Sequence, residues 1–154
     1  MRAYIVMPCL NEQRELVATC ASLGFGPGAA TDKPDGTLVL VDNGSTDRTF
    51  ELSRDIQQTS PPGTVELTYE PERGYVPPRR RGIDLVAQLA LEEGVVAEDV
   101  LILQADADTQ YQPGYVAEMR AAGETAGPQT LLEGRAEAAP EFALEHSAYQ
   151  ALCE

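Results

Sequence analysis

Two carboxylates one residue apart, Asp106 and Asp108, follow the apolar run Val100 to Gln104. Carboxylates held this close repel each other unless a cation or ligand hydroxyls balance them. A divalent metal carrying a phosphorylated group is one natural partner, because hard cations take oxygen ligands. A solvated loop capping the next helix through Asp108 or Thr109 accounts for the pair equally well. Asp42 closes a second apolar run, where a carboxylate can accept from a nucleobase N–H or ribose hydroxyls. Asp42-Asn43-Gly44-Ser45 also suits an Asx turn. Arg79-Arg80-Arg81 opens a predicted helix, shortly after Arg73. Cations there oppose the helix dipole, and an anion such as a diphosphate, held by guanidinium groups and helix N–H donors, would offset them. Pairing with some of the 25 acidic side chains is the alternative for any one of them. Glu12 stands in a predicted first helical turn as a dipole partner or a site residue. Tyr111 and Tyr115 can stack on a ligand or serve as core or rim residues, and the single histidine, His146, reads as a satisfied or exposed side chain rather than a metal ligand.

The elements that must position these groups alternate strand and helix. Ala3–Met7 reads as a strand ended by Pro8, and Asn11 as the cap of a helix from Glu12 to Leu23. The Gly- and Pro-rich stretch 24–36 is a loop. Thr37–Val41 is a second strand, and Ser45 or Asp47 caps a helix to about Gln58 with Thr49, Leu52 and Ile56 on one side. Val65–Tyr69 is a third strand, followed by a helix from Pro78 to Glu93 whose buried stripe is Ile83, Val86, Leu89 and Ala90. Val100–Gln104 is a fourth strand and Pro113–Ala122 a helix, and the stretch from Gln129 reads as a short strand and a last helix, Pro140–Leu152. This alternation predicts an α/β fold: an open, mostly parallel sheet with helices on both faces. The carboxyl ends of parallel strands share one edge, so the segments carrying Glu12, Asp42, Arg73 and Asp106 should meet there.

Composition bounds the partners. The 154 residues are enough for one domain with a real core. A net charge of −14 argues against a nucleic-acid polymer or an anionic membrane as the main partner. Three cysteines, Cys9, Cys20 and Cys153, lack metal-ligand spacing and fit a reducing compartment. The N-terminal apolar stretch is too short for a signal peptide, and no window approaches the ~20 apolar residues of a membrane span, so a cytoplasmic chain is expected. There is no G-x-G-x-x-G, no G-x-x-x-x-G-K-[ST], no calcium loop and no G-x-S-x-G.

Taken together, the motifs resemble those of the family 2 glycosyltransferases, which have the GT-A nucleotide-sugar fold. Ile5-Val-Met-Pro-Cys-Leu-Asn-Glu12 is similar to the family's opening strand and Pro-x-x-Asn-Glu turn. Val39-Leu-Val-Asp-Asn-Gly-Ser-Thr-Asp-Arg-Thr49 resembles its Val-Asp-Asp/Asn-Gly-Ser-x-Asp-x-Thr motif, and Asp106-Ala-Asp-Thr109 its metal-binding D-x-D. Arg73-Gly-Tyr-Val-Pro-Pro-Arg-Arg-Arg-Gly-Ile83 is a degenerate form of the Gly-x-x-x-Ala-Arg-Asn-x-Gly segment, with Arg80 in place of Asn and Pro77-Pro78 at a usually small-residue turn. The resemblance implies a nucleotide-diphospho-sugar donor, an acceptor hydroxyl and a Mn²⁺ or Mg²⁺ ion. It implies that Pro8, Leu10 and Glu12 line the nucleoside pocket, that Asp42 binds base or ribose, and that Arg79 lies beside the donor. Asp106 would contact ribose or metal-bound water, and Asp108 would ligate the metal. Transfer would invert the anomeric centre, with a carboxylate base activating the acceptor. In this family the acceptor half and the base lie downstream of the D-x-D. The expectation is therefore a chain truncated after its donor-binding half, with 1–122 the nucleotide-sugar domain and 123–154 the start of the acceptor side or an extension of the same domain. Glu141, Glu145 and His146 fall in that last stretch, where no motif selects a base. A non-catalytic nucleotide-binding module is the alternative reading. A sugar nucleotidyltransferase ranks below both, because the turn after the first strand is not a Gly-rich phosphate loop.

Overall fold

The structure is a computed structural model that describes residues 1–31, 33–132 and 134. Four strands, β1 (Arg2–Cys9), β2 (Thr37–Asp42), β3 (Val65–Tyr69) and β4 (Val100–Gln104), form a parallel sheet in the order β3-β2-β1-β4. The helices are α1 (Leu16–Ser22), α2 (Thr49–Thr59), α3 (Val76–Glu92) and α4 (Tyr115–Ala126). Alternation along β1 sorts them. Ala3, Ile5, Met7 and Cys9 point to the core shared with residues of α1, α2 and α4, while Tyr4 and Val6 join Val39, Val41, Val86 and Ala90 under α3. Both faces of the central strands are therefore covered, as expected of a parallel sheet. The expected fold class, an open parallel α/β sheet with helices on both faces, is the one observed.

Several element boundaries differ from the sequence reading, each for a tertiary reason. Pro8 does not end β1. Val6 O accepts from Ala105 N on the β4 side and Cys9 O from Asn43 N on the β2 side, so Pro8 shares the flank of Val6. Its missing N–H therefore falls where β4 is already leaving the sheet, and costs no ladder bond. Asn11 does not cap α1. Its backbone is left-handed, at φ +59°, and its Oδ1 accepts from Thr46 N at 2.8 Å. Residues 12–15 form a turn instead, and the helix begins at Leu16.

In α3 the buried stripe is Pro78, Gly82, Val86 and Ala90, with Leu89 packed beside it, and Ile83 is 40% exposed. The helix lies so close to the sheet that a Cβ on Gly82 would stand 2.3 Å from Val6 Cγ1. Small residues at every fourth position permit that approach, which turns Ile83 outward. The last helix of the four runs to Ala126, beyond the expected Ala122. The expected final strand and helix, with Glu141, Glu145 and His146, lie outside the described residues. Among the described residues no helix is long and apolar enough to cross a membrane.

Candidate functional site

The chain order sets the location. From β1 the chain steps outward to β2 and β3, then crosses back to place β4 on the other side of β1. Parallel α/β sheets bind ligands at such a reversal, in the crevice beyond the carboxyl ends of the strands. The segments after β1, β2 and β4, carrying Glu12, Asp42 and Asp106-Ala107-Asp108, all emerge at that edge.

Asp42 ends β2 almost fully buried, at 3% exposure. Its Oδ2 accepts from Gly44 N at 3.2 Å and Ser45 N at 3.3 Å, so the expected Asx turn is present. Its Oδ1 has no partner. A buried carboxylate oxygen without a donor is costly, and it is the kind of acceptor that a ligand N–H or O–H would satisfy. Next to it, Asn43 fastens the loop after β3. Its Nδ2 donates to Glu70 O at 2.8 Å and Glu72 O at 2.7 Å, and its Oδ1 accepts from Gly74 N at 3.2 Å. Arg73 completes this clamp by donating from Nη2 to Gly44 O at 2.6 Å.

The turn after β1 is interlocked with the turn before α2. Asn11 N donates to Ser45 Oγ at 3.1 Å, Glu12 N to Thr49 Oγ1 at 2.7 Å and Gln13 N to Asp47 Oδ2 at 3.2 Å. Asp47 Oδ1 also accepts from Thr49 N at 2.9 Å, just ahead of α2, but the N-cap position is Arg48 and not the expected Ser45 or Asp47. Desolvation pushes the Asp47 carboxyl upward, but hydrogen bonds from the Thr49 hydroxyl, Thr49 N and Gln13 N outweigh it and hold the group below its usual range. The carboxyl of Glu12 shifts the other way. Burial raises it, and the negative charges of Asp108, Asp47, Glu15 and Asp106 raise it further. Glu12 and both aspartates after β4 therefore share one electrostatic field. Pro8 is half-buried and Leu10 is 39% exposed, on the same outgoing segment.

Beyond β4 the strand alternation continues. Ala105 and Ala107 are each buried to 3% exposure, so Asp106 and Asp108 turn outward together. Arg79 Nη2 donates to Asp106 Oδ1 at 2.9 Å, and its guanidinium lies 3.6 Å from the centroid of the Tyr75 ring. The expected anion-binding cluster of three arginines is thus divided. Arg81 Nε donates to Thr68 Oγ1 at 3.2 Å, Arg80 is exposed, and only Arg79 meets the acidic turn. The helical periodicity of α3 separates these neighbours by about 100° each, which spacing in sequence does not convey.

The fit of a metal can be judged from the donor set. Among the described residues no three His, Cys, Asp or Glu side chains are gathered closely enough to hold an ion by themselves. Mg²⁺-type sites need only one or two carboxylates when phosphate oxygens and waters supply the rest. Asp106 and Asp108 meet that requirement, and fit an ion that arrives with a diphosphate. A concavity of about 680 Å³ lies elsewhere, against Gly24, Gly26, Thr31, Ser60 and Pro61, and is lined by no ionisable group.

Tyr111 and Tyr115, read as stacking groups or as core or rim residues, tilt 47° against each other at 5.0 Å and pack on the core. Sequence reasoning missed Asn43 as a clamp and Tyr75 as the platform for Arg79. An Asn at a strand end and a Tyr four residues before an Arg on one helix were the available signals.

Comparison with known proteins bears on the fold and the family. No curated protein matches the chain. Among solved structures, the crystal structure of S. aureus TarS 1-349 superposes with a TM-score of 0.55 at 17% sequence identity, covering 79% of this chain and 32% of that one. This chain thus spans about a third of that protein's length, and the likeness is one of fold. The sequence model described as Glycosyl transferase family 2 matches residues 4–132, which takes in most of β1, the other three strands, the four helices, and the segments carrying Asp42 and Asp106. With most of its length matched, the chain belongs to glycosyl transferase family 2.

Proposed function

We propose that this chain forms the donor-binding part of a metal-dependent glycosyltransferase, using a nucleotide-diphospho-sugar as donor and a hydroxyl as acceptor. The observation that carries the reading is the buried, unpartnered Oδ1 of Asp42 on the same sheet edge as the outward pair Asp106 and Asp108. In this reading Asp42 accepts from the base or ribose, and Pro8, Leu10 and Glu12 line the nucleoside. Asp108, with Asp106, holds Mn²⁺ or Mg²⁺, and Asp106 also reaches the ribose or a metal-bound water. The ion would neutralise charge that builds on the diphosphate leaving group. Arg79 supplies a second, fixed positive charge beside that group. Residues 1–122 are assigned to the donor domain, those from 123 onward to the start of the acceptor side or an extension of the same domain, and the reaction to the inverting class.

The test is a thermal-shift titration with UDP, GDP, CDP and TDP, each with and without Mn²⁺. At a hundredfold excess over Kd, binding to the native state stabilises it by ~2.7 kcal/mol. One diphosphate should raise Tm, and only with metal. No shift with any pair would contradict a donor site on this chain. Binding by a longer form of the protein, without sugar transfer or donor hydrolysis, would instead indicate a non-catalytic nucleotide-binding module.

A further inference from the structure

Tyr111 has no part in the site described so far, yet its phenol touches it. Ala105 N makes the last ladder bond of the β4 side, to Val6 O at 2.9 Å. The next amide, that of Asp106, faces away from β1, and β4 is the last strand in the sheet order. That N–H donates to Tyr111 Oη at 3.0 Å, so a side chain occupies the place of a neighbouring strand. Tyr111 is itself held. Its N–H donates to Ser22 Oγ at 3.0 Å, Ser22 Oγ donates to Thr19 O at 2.7 Å within α1, and its ring rests on Tyr115 and the core. Asp106 is therefore anchored twice, at the carboxylate by Arg79 and at the backbone by Tyr111.

We infer that Tyr111 is a positioning residue for the acidic turn, fixing the backbone from which Asp106 and Asp108 project so that both carboxylates present at once to a cation–diphosphate ligand. The inference rests on the donor-site reading. Metal and phosphate sites tolerate little slack, and loss of an outer hydrogen bond that orients a ligand typically weakens metal affinity by about 10–100-fold.

The experiment is Tyr111→Phe, which keeps the ring and removes only the hydroxyl. Three readouts separate positioning from general packing: amide hydrogen exchange at Asp106, the Mn²⁺-dependent Kd for whichever of the four nucleoside diphosphates binds, and the Kd for its nucleoside. Exchange at Asp106 should rise while that at Ala105 is unchanged. The Mn²⁺-dependent Kd should weaken by about tenfold, with nucleoside affinity unmoved. Ser22→Ala, which removes the acceptor of the Tyr111 amide and leaves the phenol, should move the same readouts in the same direction by less. Faster exchange at Asp106 with an unaltered Mn²⁺-dependent Kd would overturn the inference while leaving the donor site intact. Absence of any metal-dependent binding in the unmutated chain would overturn both.

Discussion

The two ends of the candidate site are built in opposite ways. At the β2 end, Asp42 and Asn43 are buried and hydrogen-bonded into two loops, with a single oxygen left over. At the β4 end, Asp106 and Asp108 face solvent, and one ion pair with Arg79 is their side-chain restraint among the described residues. The contrast matches what each would bind. A nucleoside is recognised by a few fixed donors and acceptors in a preformed place, and burial makes each of them count. A metal–diphosphate brings most of its own ligands and charge, so the protein need only present carboxylates to it. One end is finished by folding, and in the proposed function the other would be completed by its ligand.

That difference sets the expected cost of breaking each end. Asn43→Ala leaves three backbone groups without their partner and should destabilise the fold by about 3 kcal/mol, lowering Tm by roughly 6–12 °C in thermal melts. Asp108→Ala should leave stability within about 0.5 kcal/mol, as surface changes do. The same change should remove the metal requirement from nucleoside-diphosphate binding, and metal-dependent binding retained in that variant would contradict the assignment. Arg79→Ala should sharpen the contrast. Its ion pair is largely exposed on the Asp106 side and contributes about 0–1 kcal/mol to stability. Titration calorimetry should nonetheless show weaker diphosphate binding, while Mn²⁺ alone binds no worse, because Asp106 is released.

The smallest effect is a pair of opposite pH responses. The Asp47 carboxyl is lowered in the fold, so its contribution is present above the ordinary value of 3.8 and is lost as pH falls through the folded value. Asp47→Asn should therefore lower Tm at neutral pH and converge with the parent in acid. Glu12 is raised, so its contribution is present below the ordinary value of 4.5 and is lost as pH rises through the folded value. Glu12→Gln should raise Tm slightly at neutral pH and converge in acid. Melts from pH 3 to 8 would show both, and equal signs would refute the shared field of Glu12 with Asp108 and Asp106.

How much of this was legible in the sequence follows from which forces are local. The strands β3 and β4 stand where the sequence places them, because short apolar runs bounded by turn residues leave little choice. The carboxyl edge was legible for the same reason, since parallel strands bring Glu12, Asp42 and Asp106 together by topology alone. Pairings across loops were not. Asn11 has the composition of a helix cap, but a left-handed backbone and the amide of Thr46 decide its role. The buried face of α3 follows Gly82, whose importance comes from a helix–sheet approach too close for any Cβ there, and not from hydrophobicity. The division of the arginines depends on that same rotation. Tyr111 reads from the sequence as a stacking, core or rim residue, and its ring does pack on the core, but nothing local shows that its hydroxyl meets a backbone amide.

The central claim is that the buried β2 end and the open β4 end form one site joined by a diphosphate. Mn²⁺ binding, followed by the electron paramagnetic resonance signal of the free ion, tests it directly when measured with and without the nucleoside diphosphate that gives a thermal shift. The account predicts weak Mn²⁺ binding to the chain alone and at least about tenfold tighter binding with the nucleotide present, a coupling of roughly 1.4 kcal/mol or more that Asp42→Ala should abolish along with nucleotide binding. Equal Mn²⁺ affinity with and without the nucleotide would mean that the two ends are independent, and would contradict the account.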